Sequence, residues 1–273
     1  MKSNIPQTNQ PPETSSLSSI ASATEEPEPS SPFLSVIIPT YNEGRIIQNT
    51  LHEITAFLAD KEYSSEIIVS DDGSTDGTIE NVKSLQSGSD LETRTKSIKL
   101  LELQHFGKGH AVKAGLLEAK GTFVIFMDAD LSTPVEEIDN ILHELQQGAE
   151  IAIGSRRMTE LPGEHRQPIY RHIAGDIFAF VVRIIFLPGI RDPQCGFKGF
   201  RLKTARKLAQ LGHVNGFAFD TELLYLARKL DIPIKEINVI WRDSGNSSIN
   251  LFKHGFQMLT ELIKIKLHNS QIT

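Results

Sequence analysis

The sequence predicts an α/β chain with a mostly parallel central sheet flanked by helices, and three observations carry that prediction. Short continuous apolar runs recur along the chain, amphipathic helical patterns lie between them, and small polar clusters stand where the runs end. Continuous apolar strands separated by helices are buried on both faces, as parallel strands are. The first run, Leu34 to Ile38, is closed by Pro39 and followed by a helical pattern from Glu43 to Leu58. A second run, Glu66 to Ser70, leads to a helix opening near Asp76. Then come Ile98 to Leu103 with a helix from Lys108 to Ala119, and Thr122 to Met127 with a helix from Pro134 to Gln147. A fifth run covers Glu150 to Ile153.

Beyond Gly154 the rhythm changes. A polar loop, Arg156 to Gln167, precedes an apolar helix over Pro168 to Leu187 and a turn-rich stretch from Arg191 to Arg201. A helix over Asp220 to Leu230, a strand over Ile234 to Ile240 and an amphipathic helix from Ile249 to Leu267 complete the chain. The expected organisation is a disordered tail over 1–32, one folded domain over 33–248 whose halves divide at 153/154, and a C-terminal helix over 249–273. The tail is rich in Ser, Thr, Pro and Glu, and buries too little apolar surface to offset its chain entropy.

Composition narrows the function. The chain has 273 residues, 39% of them hydrophobic, with one cysteine and a formal net charge of −6. A single cysteine forms no intrachain disulfide and Met1 to Ser31 holds no signal-like apolar run, so a cytoplasmic setting is expected. The acidic balance argues against a nucleic-acid partner, which requires a basic excess. The tail carries one Lys against four Glu, half of the chain's −6, so the folded part is nearly balanced. No run reaches the roughly 20 apolar residues that span a bilayer; the longest, Ile177 to Leu187, contains Arg183.

In parallel sheets ligands bind beyond the carboxyl ends of the strands. The first such end carries Pro39, Thr40, Tyr41, Asn42 and Glu43, where Tyr41 can stack on a base; a proline turn with Asn42 as helix N-cap is the structural alternative. The second carries Asp71 and Asp72, adjacent carboxylates suited to a ribose or a cation, or to an Asx turn with Asp76 as N-cap. Gly107-Lys108-Gly109 opens a helix where a lysine can meet a diphosphate. The fourth run enters Asp128-Ala129-Asp130 directly. In extended backbone these two carboxylates point the same way and share one hard cation, Mg²⁺ or Mn²⁺.

Those four strand ends, in that order and spacing, strongly resemble the inverting glycosyltransferases of family 2. Gly154-Ser155-Arg156, the stretch Arg191 to Lys198 and Phe219 to Leu224 are similar to its polyprenyl-phosphate hexosyltransferase branch, and Asp-Ala-Asp-Leu-Ser-Thr-Pro with Gln-Cys-Gly-Phe-Lys to the dolichyl-phosphate β-glucosyltransferases. The resemblance implies a glycosyltransferase A-type fold, with 33–153 as the nucleotide-sugar half and 154–248 as the acceptor half. Pro39, Tyr41, Asn42, Glu43, Asp71, Asp72 and Lys108 would hold the donor, with Arg201 on its diphosphate. Asp130 would bind the divalent metal directly, with Asp128 supporting it and touching ribose or sugar. Arg156 and Arg171 would hold the acceptor phosphate. Ser132 stands where mannosyltransferase relatives often have a glutamine ligand.

The implied partners are UDP-glucose, or GDP-mannose as the alternative donor, and a polyprenyl phosphate at the cytoplasmic membrane face. An ionised lipid phosphate needs no strong base, whereas a hydroxyl acceptor would, and Asp192 is then the candidate, with Asp220 and Glu222 behind it; Asp192 as a turn former and Asp220 as N-cap of the next helix are the structural alternatives. A buried Pro168–Leu187 helix competes with an interfacial one, and Lys253, Lys264 and Lys266 make the last helix mildly basic. A soluble transferase with a sugar acceptor, a nucleotidyltransferase and a non-catalytic binding protein are the competing classes.

Overall fold

The computed structural model describes residues 31–86, 95–156, 182, 185–242 and 251–268. The tail expected over 1–32 lies almost wholly outside them, as do Arg171 and most of the helix expected over 168–187. Of that helix Val182, Phe186 and Leu187 are buried and Ile185 is exposed.

Among the described residues seven strands form one sheet: β1 (Leu34–Thr40), β2 (Ser65–Asp71), β3 (Thr95–Glu102), β4 (Phe123–Phe126), β5 (Ile151–Ser155), β6 (Lys198–Arg201) and β7 (Ile234–Asn238). Their order is β3-β2-β1-β4-β6-β5-β7. All pairings are parallel except those of β6, which runs antiparallel to β4 and β5. The helices are α1 (Ile47–Ala59), α2 (Thr78–Gln86), α3 (Lys108–Glu118), α4 (Glu137–Gln146), α5 (Leu202–Leu211), α6 (Phe219–Lys229) and α7 (Leu251–His268).

The continuous apolar strands are buried on both faces, as their composition requires. Val36, Ile38, Ile67, Val69 and Ile125 pack with Leu51, Ile54, Val82, Ile138 and Leu142 of α1, α2 and α4. Ile37, Ile68, Val124 and Phe126 pack on the other face with Val112, Leu116, Leu208, Phe219 and Leu223 of α3, α5 and α6.

Four expectations change. Pro39 does not end β1; the strand continues to Thr40. Pro39 shares the side of Ile37, whose carbonyl accepts from Met127, and pairing with β4 stops at Ile37, so its missing N–H leaves no ladder bond unmade. Asn42 is not a cap, since α1 opens after Ile46. Asp220 is not one either, because Ala218 precedes α6 and Asp220 lies within it. The turn-rich stretch ending at Arg201 contains β6, and α5 follows it at once.

Candidate active site

The carboxyl ends of β1, β2, β4, β5 and β7, and the amino end of antiparallel β6, meet on one edge of the sheet. At the first two, the loops after β1 and β2 are tied to each other. Asn42, at φ 57°, donates its N–H to Ser74 Oγ (2.8 Å), and its Oδ1 accepts from the Thr75 N–H (2.9 Å). The Glu43 N–H reaches Thr78 Oγ1 and the Gly44 N–H reaches Asp76. Asp71 accepts from the Gly73 and Ser74 N–H groups and from the hydroxyls of Ser74 and Thr40, four donors for its four lone-pair positions.

Asp72 holds the next loop. Its carboxylate accepts from the N–H groups of Phe106 (3.0 Å) and Gly107 (2.9 Å) and from His105 Nδ1 (2.7 Å). Gly107 takes φ 116°, and a Cβ there would press on the Asn215 carbonyl, so glycine is required at this entry to α3. Both aspartates are buried and bonded inside the protein. In these positions the two aspartates shape the loops that follow β2 and β3. What those loops present is Tyr41, 46% exposed and stacked on His105 at 4.2 Å between ring centroids.

At the end of β4 the backbone leaves the strand at Phe126, and Asp128 to Asp130 form a turn closed by the Leu131 N–H on the Asp128 carbonyl, with Leu131 at φ 48°. The extended geometry expected for this pair is therefore replaced by a turn, and each carboxylate has its own partner. Asp128 Oδ1 accepts from Lys108 Nζ at 2.5 Å. Asp130 accepts from the Ser132 N–H (3.0 Å) and hydroxyl (2.8 Å). Burial would lower the Lys108 pKa, but Asp128, Asp220 and Asp130 raise it above the usual lysine value. Glu43 titrates above the usual carboxylate range because it is partly buried and feels Asp130, Asp76 and Asp128 more than it feels Lys108.

At the end of β5, Arg156 meets Asp192 in a two-pronged pair: Nε to Oδ2 at 2.7 Å and Nη2 to Oδ1 at 2.8 Å, with the Arg156 N–H also on Oδ2. Glu236 of β7 accepts from the Arg191 and Asp192 N–H groups and fixes that turn. Burial pushes the Asp192 carboxyl up, but Arg156 outweighs it and holds the group below its ordinary value. A carboxylate so held is a poor general base. The Arg156 guanidinium also lies over Trp241, 5.7 Å from its ring centroid.

A family model described as glycosyl transferase family 2 matches residues 35–209. The chain belongs to that family. Its relatives include proteins named dolichyl-phosphate β-glucosyltransferase from Dictyostelium discoideum (36% identical, covering 86% of this chain and 74% of that one), from Drosophila melanogaster (38%; 85% and 74%) and from Homo sapiens (35%; 86% and 75%). Among solved structures, glucosyl-3-phosphoglycerate synthase from Mycobacterium tuberculosis, in complex with Mn²⁺, UDP-glucose and phosphoglyceric acid, superposes with a TM-score of 0.62 at 18% identity, over 86% of this chain and 79% of that one. The same enzyme crystallised with Mg²⁺ and UDP gives 0.60 at 18% identity, over 86% and 79%. The sheet and its helices are thus the glycosyltransferase A-type fold.

In this family 2 chain the edge described above brings together Tyr41, Asn42, Glu43, Lys108, Asp128, Asp130 and Arg156. It does not bring Arg201. Antiparallel β6 pairs Arg201 with Phe123, at the opposite end of β4. There its guanidinium donates to the carbonyls of Leu145 (2.9 Å) and Ala149 (3.3 Å). The expected diphosphate contact is corrected accordingly. Lys198, at the near end of the same strand, entered the sequence reading only as the end of a motif and with no role of its own, and His105 and Trp241 had no place in it.

The donor set fits a hard divalent cation. Among the described residues no three His, Cys, Asp or Glu side chains gather into a metal cage, but such ions bind at phosphate sites through one or two carboxylates with substrate oxygens. Asp128 and Asp130 supply that number, and Ser132 orients Asp130 rather than standing in for a glutamine ligand.

Proposed function

We propose that this chain transfers glucose from UDP-glucose to dolichyl phosphate with inversion, at the cytoplasmic face of a membrane. The observation that carries it is the placement of a locked arginine, Arg156, at the strand end beside the Asp128–Asp130 turn. Arg156 and Asp128 are near enough for the carboxylate to contribute to raising the arginine's pKa. The names of the relatives agree with this reading.

The residues divide the work. Tyr41, standing on His105, offers a face to the uracil ring. Lys108 and the turn after β4 face the diphosphate and the sugar. Asp192 fixes the plane of the Arg156 guanidinium, which presents its outer edge to the acceptor phosphate through charge-assisted hydrogen bonds. That phosphate is already ionised at neutral pH, so catalysis rests on alignment and electrostatics and needs no base. Attack in line on the α-linked donor gives the β-linked product. A divalent cation of the Mg²⁺ or Mn²⁺ class would be held by Asp130 with Asp128 and would stabilise the departing nucleoside diphosphate.

A lipid acceptor places the enzyme at a membrane surface. No helix among the described residues is long and apolar enough to cross a membrane. Near its end α7 exposes Ile263 and Leu267 beside Lys264 and Lys266, a pattern suited to an anionic interface. Co-flotation with anionic liposomes is expected, and a protein that stays at the bottom of the gradient contradicts surface binding.

The reaction is tested with labelled UDP-glucose and labelled GDP-mannose, each with a short polyprenyl phosphate, with and without chelator, followed by organic extraction. Label from UDP-glucose should enter the organic phase only with the acceptor and without chelator. Label from GDP-mannose alone would replace the donor, and an unlabelled organic phase in every arm would overturn the assignment.

A further inference from the structure

Lys198 is a wholly buried lysine, with 0% of its side chain exposed, for which the transfer chemistry above has no use. β6 places it opposite Phe126, two residues before Asp128. Its Nζ donates to Asp220 Oδ1 (2.6 Å) and to the Cys195 carbonyl (2.5 Å), and stands 5.4 Å from the centroid of the Phe126 ring. A buried ion pair is weak as a source of stability, since well-packed apolar residues often serve as well or better. Its position suggests what it does instead. The bond to the Cys195 carbonyl closes the chain from Cys195 to Lys198 into a tight loop, and Gly196 lies inside that loop. Gly196 is pressed against Asp128: a Cβ at this position would overlap the Asp128 carboxylate, Oδ2 first and then Cγ and Oδ1. The carboxylate is therefore confined between the Gly196 backbone on one side and Lys108 Nζ on the other.

We propose that Lys198, paired with Asp220, is a positioning residue: it holds the Cys195–Lys198 loop as a wall that fixes where the Asp128 carboxylate stands. The proposal rests on the donor reading above, in which Asp128 serves the metal–nucleotide complex. Lys198 touches no reacting atom, and its effect passes through Gly196. Outer partners of this kind are typically worth about 10–100-fold in metal affinity or activity.

Equilibrium binding of Mn²⁺ in the presence of UDP, followed by the electron paramagnetic resonance of the free ion, reads this without turnover. Three variants are compared with the parent: Lys198→Met/Asp220→Leu, which removes both charges and leaves none buried alone; Lys198→Arg, which keeps a cation; and Gly196→Ala, which pushes on Asp128 directly. The double variant is expected to unfold within a few degrees of the parent and to bind Mn²⁺–UDP about 10–100-fold more weakly. Gly196→Ala should show the same loss, and Lys198→Arg should recover part of it. A folded double variant that binds like the parent overturns the proposal. If that variant does not fold, parent-like binding by Gly196→Ala overturns it equally. A parent protein that binds no Mn²⁺–UDP would instead overturn the donor reading, so the two failures are separate.

Discussion

Replacing Asp192 by Asn separates the role assigned by the structure from that of a catalytic base. The carboxylate accepts three hydrogen bonds from Arg156, two from its guanidinium and one from its backbone. Removing one partner of a buried ion pair costs about 3–5 kcal/mol. The Arg156 side chain is 34% exposed, so water recovers part of that, and the cost falls to about 2–3 kcal/mol. For a domain of this size the midpoint of thermal unfolding should drop by roughly 5–10 °C at pH 7. The Asp192 pKa is depressed in the folded protein, so its stabilisation is fully present above the unfolded value of about 3.9 and is lost as pH falls through the folded value. The gap between parent and variant, followed by circular dichroism, should stay constant from pH 7 to about pH 5 and close below about pH 4. In the transfer assay the acceptor KM should rise by about 10-fold or more as Arg156 loses its fixed plane. An unchanged midpoint together with a kcat loss of about 10²–10⁴ is what a general base would give, and it would refute this reasoning.

Three further outcomes follow from the same geometry. Tyr41→Ala removes an exposed stacking face worth about 1–2 kcal/mol, so the KM for UDP-glucose should rise about 5–30-fold while the melting midpoint hardly moves; an unchanged KM removes Tyr41 from the donor site. Asp130→Ala should lower kcat by at least about 100-fold with saturating Mn²⁺, and full activity there would end the metal role of the turn. Arg201→Ala loses two bonds to carbonyls in the last turn of α4 and just beyond it, about 1–2 kcal/mol, and should melt a few degrees lower with an unaltered donor KM; a raised KM would restore the diphosphate contact that the strand direction denies.

The parallel half of the fold was legible because its strands carry short apolar runs and its helices are amphipathic, signals that survive in a single sequence. β6 was not. Its four residues, Lys-Gly-Phe-Arg, carry no apolar run, and the lysine at its start is buried only because α6 brings Asp220 to it. The pattern of α5 was present in Leu202, Ala205, Leu208 and Ala209, yet it follows β6 without a loop and falls between the turn-rich stretch and the helix expected from Asp220, where no element was assigned. Missing β6 also misplaced Arg201, because only an antiparallel strand carries a residue four positions after Phe197 to the far end of the sheet. Residue types at strand ends pointed to one edge of the sheet, where the structure brings most of them together. They could not say which carboxylates face a ligand and which face the protein's own N–H groups, since Asp71, Asp72 and Asp128 look alike until the loops around them are drawn.

The charges at this edge decide how a donor must arrive. Lys108 and Arg156 are each matched by an aspartate, namely Asp128 and Asp192, at 2.5 and 2.7 Å. The two partly exposed cations beside the turn after β4 are thus already paired. Glu43, Asp76 and Asp130 add negative charge to the same face, and Glu43, whose pKa is raised first by its burial, is raised further by Asp130, Asp76 and Asp128 against the lowering by Lys108. A nucleoside diphosphate approaching alone meets repulsion here, in a partly buried setting where salt screens it weakly. Carrying a divalent cation reverses that balance, because the same carboxylates then attract the complex. Donor affinity should therefore depend on the cation more steeply than on the lysine. Under the proposed function, the pairing of Lys108 with Asp128 and of Arg156 with Asp192 predicts that the donor binds as a metal complex and that Arg156, one-third exposed, serves the acceptor.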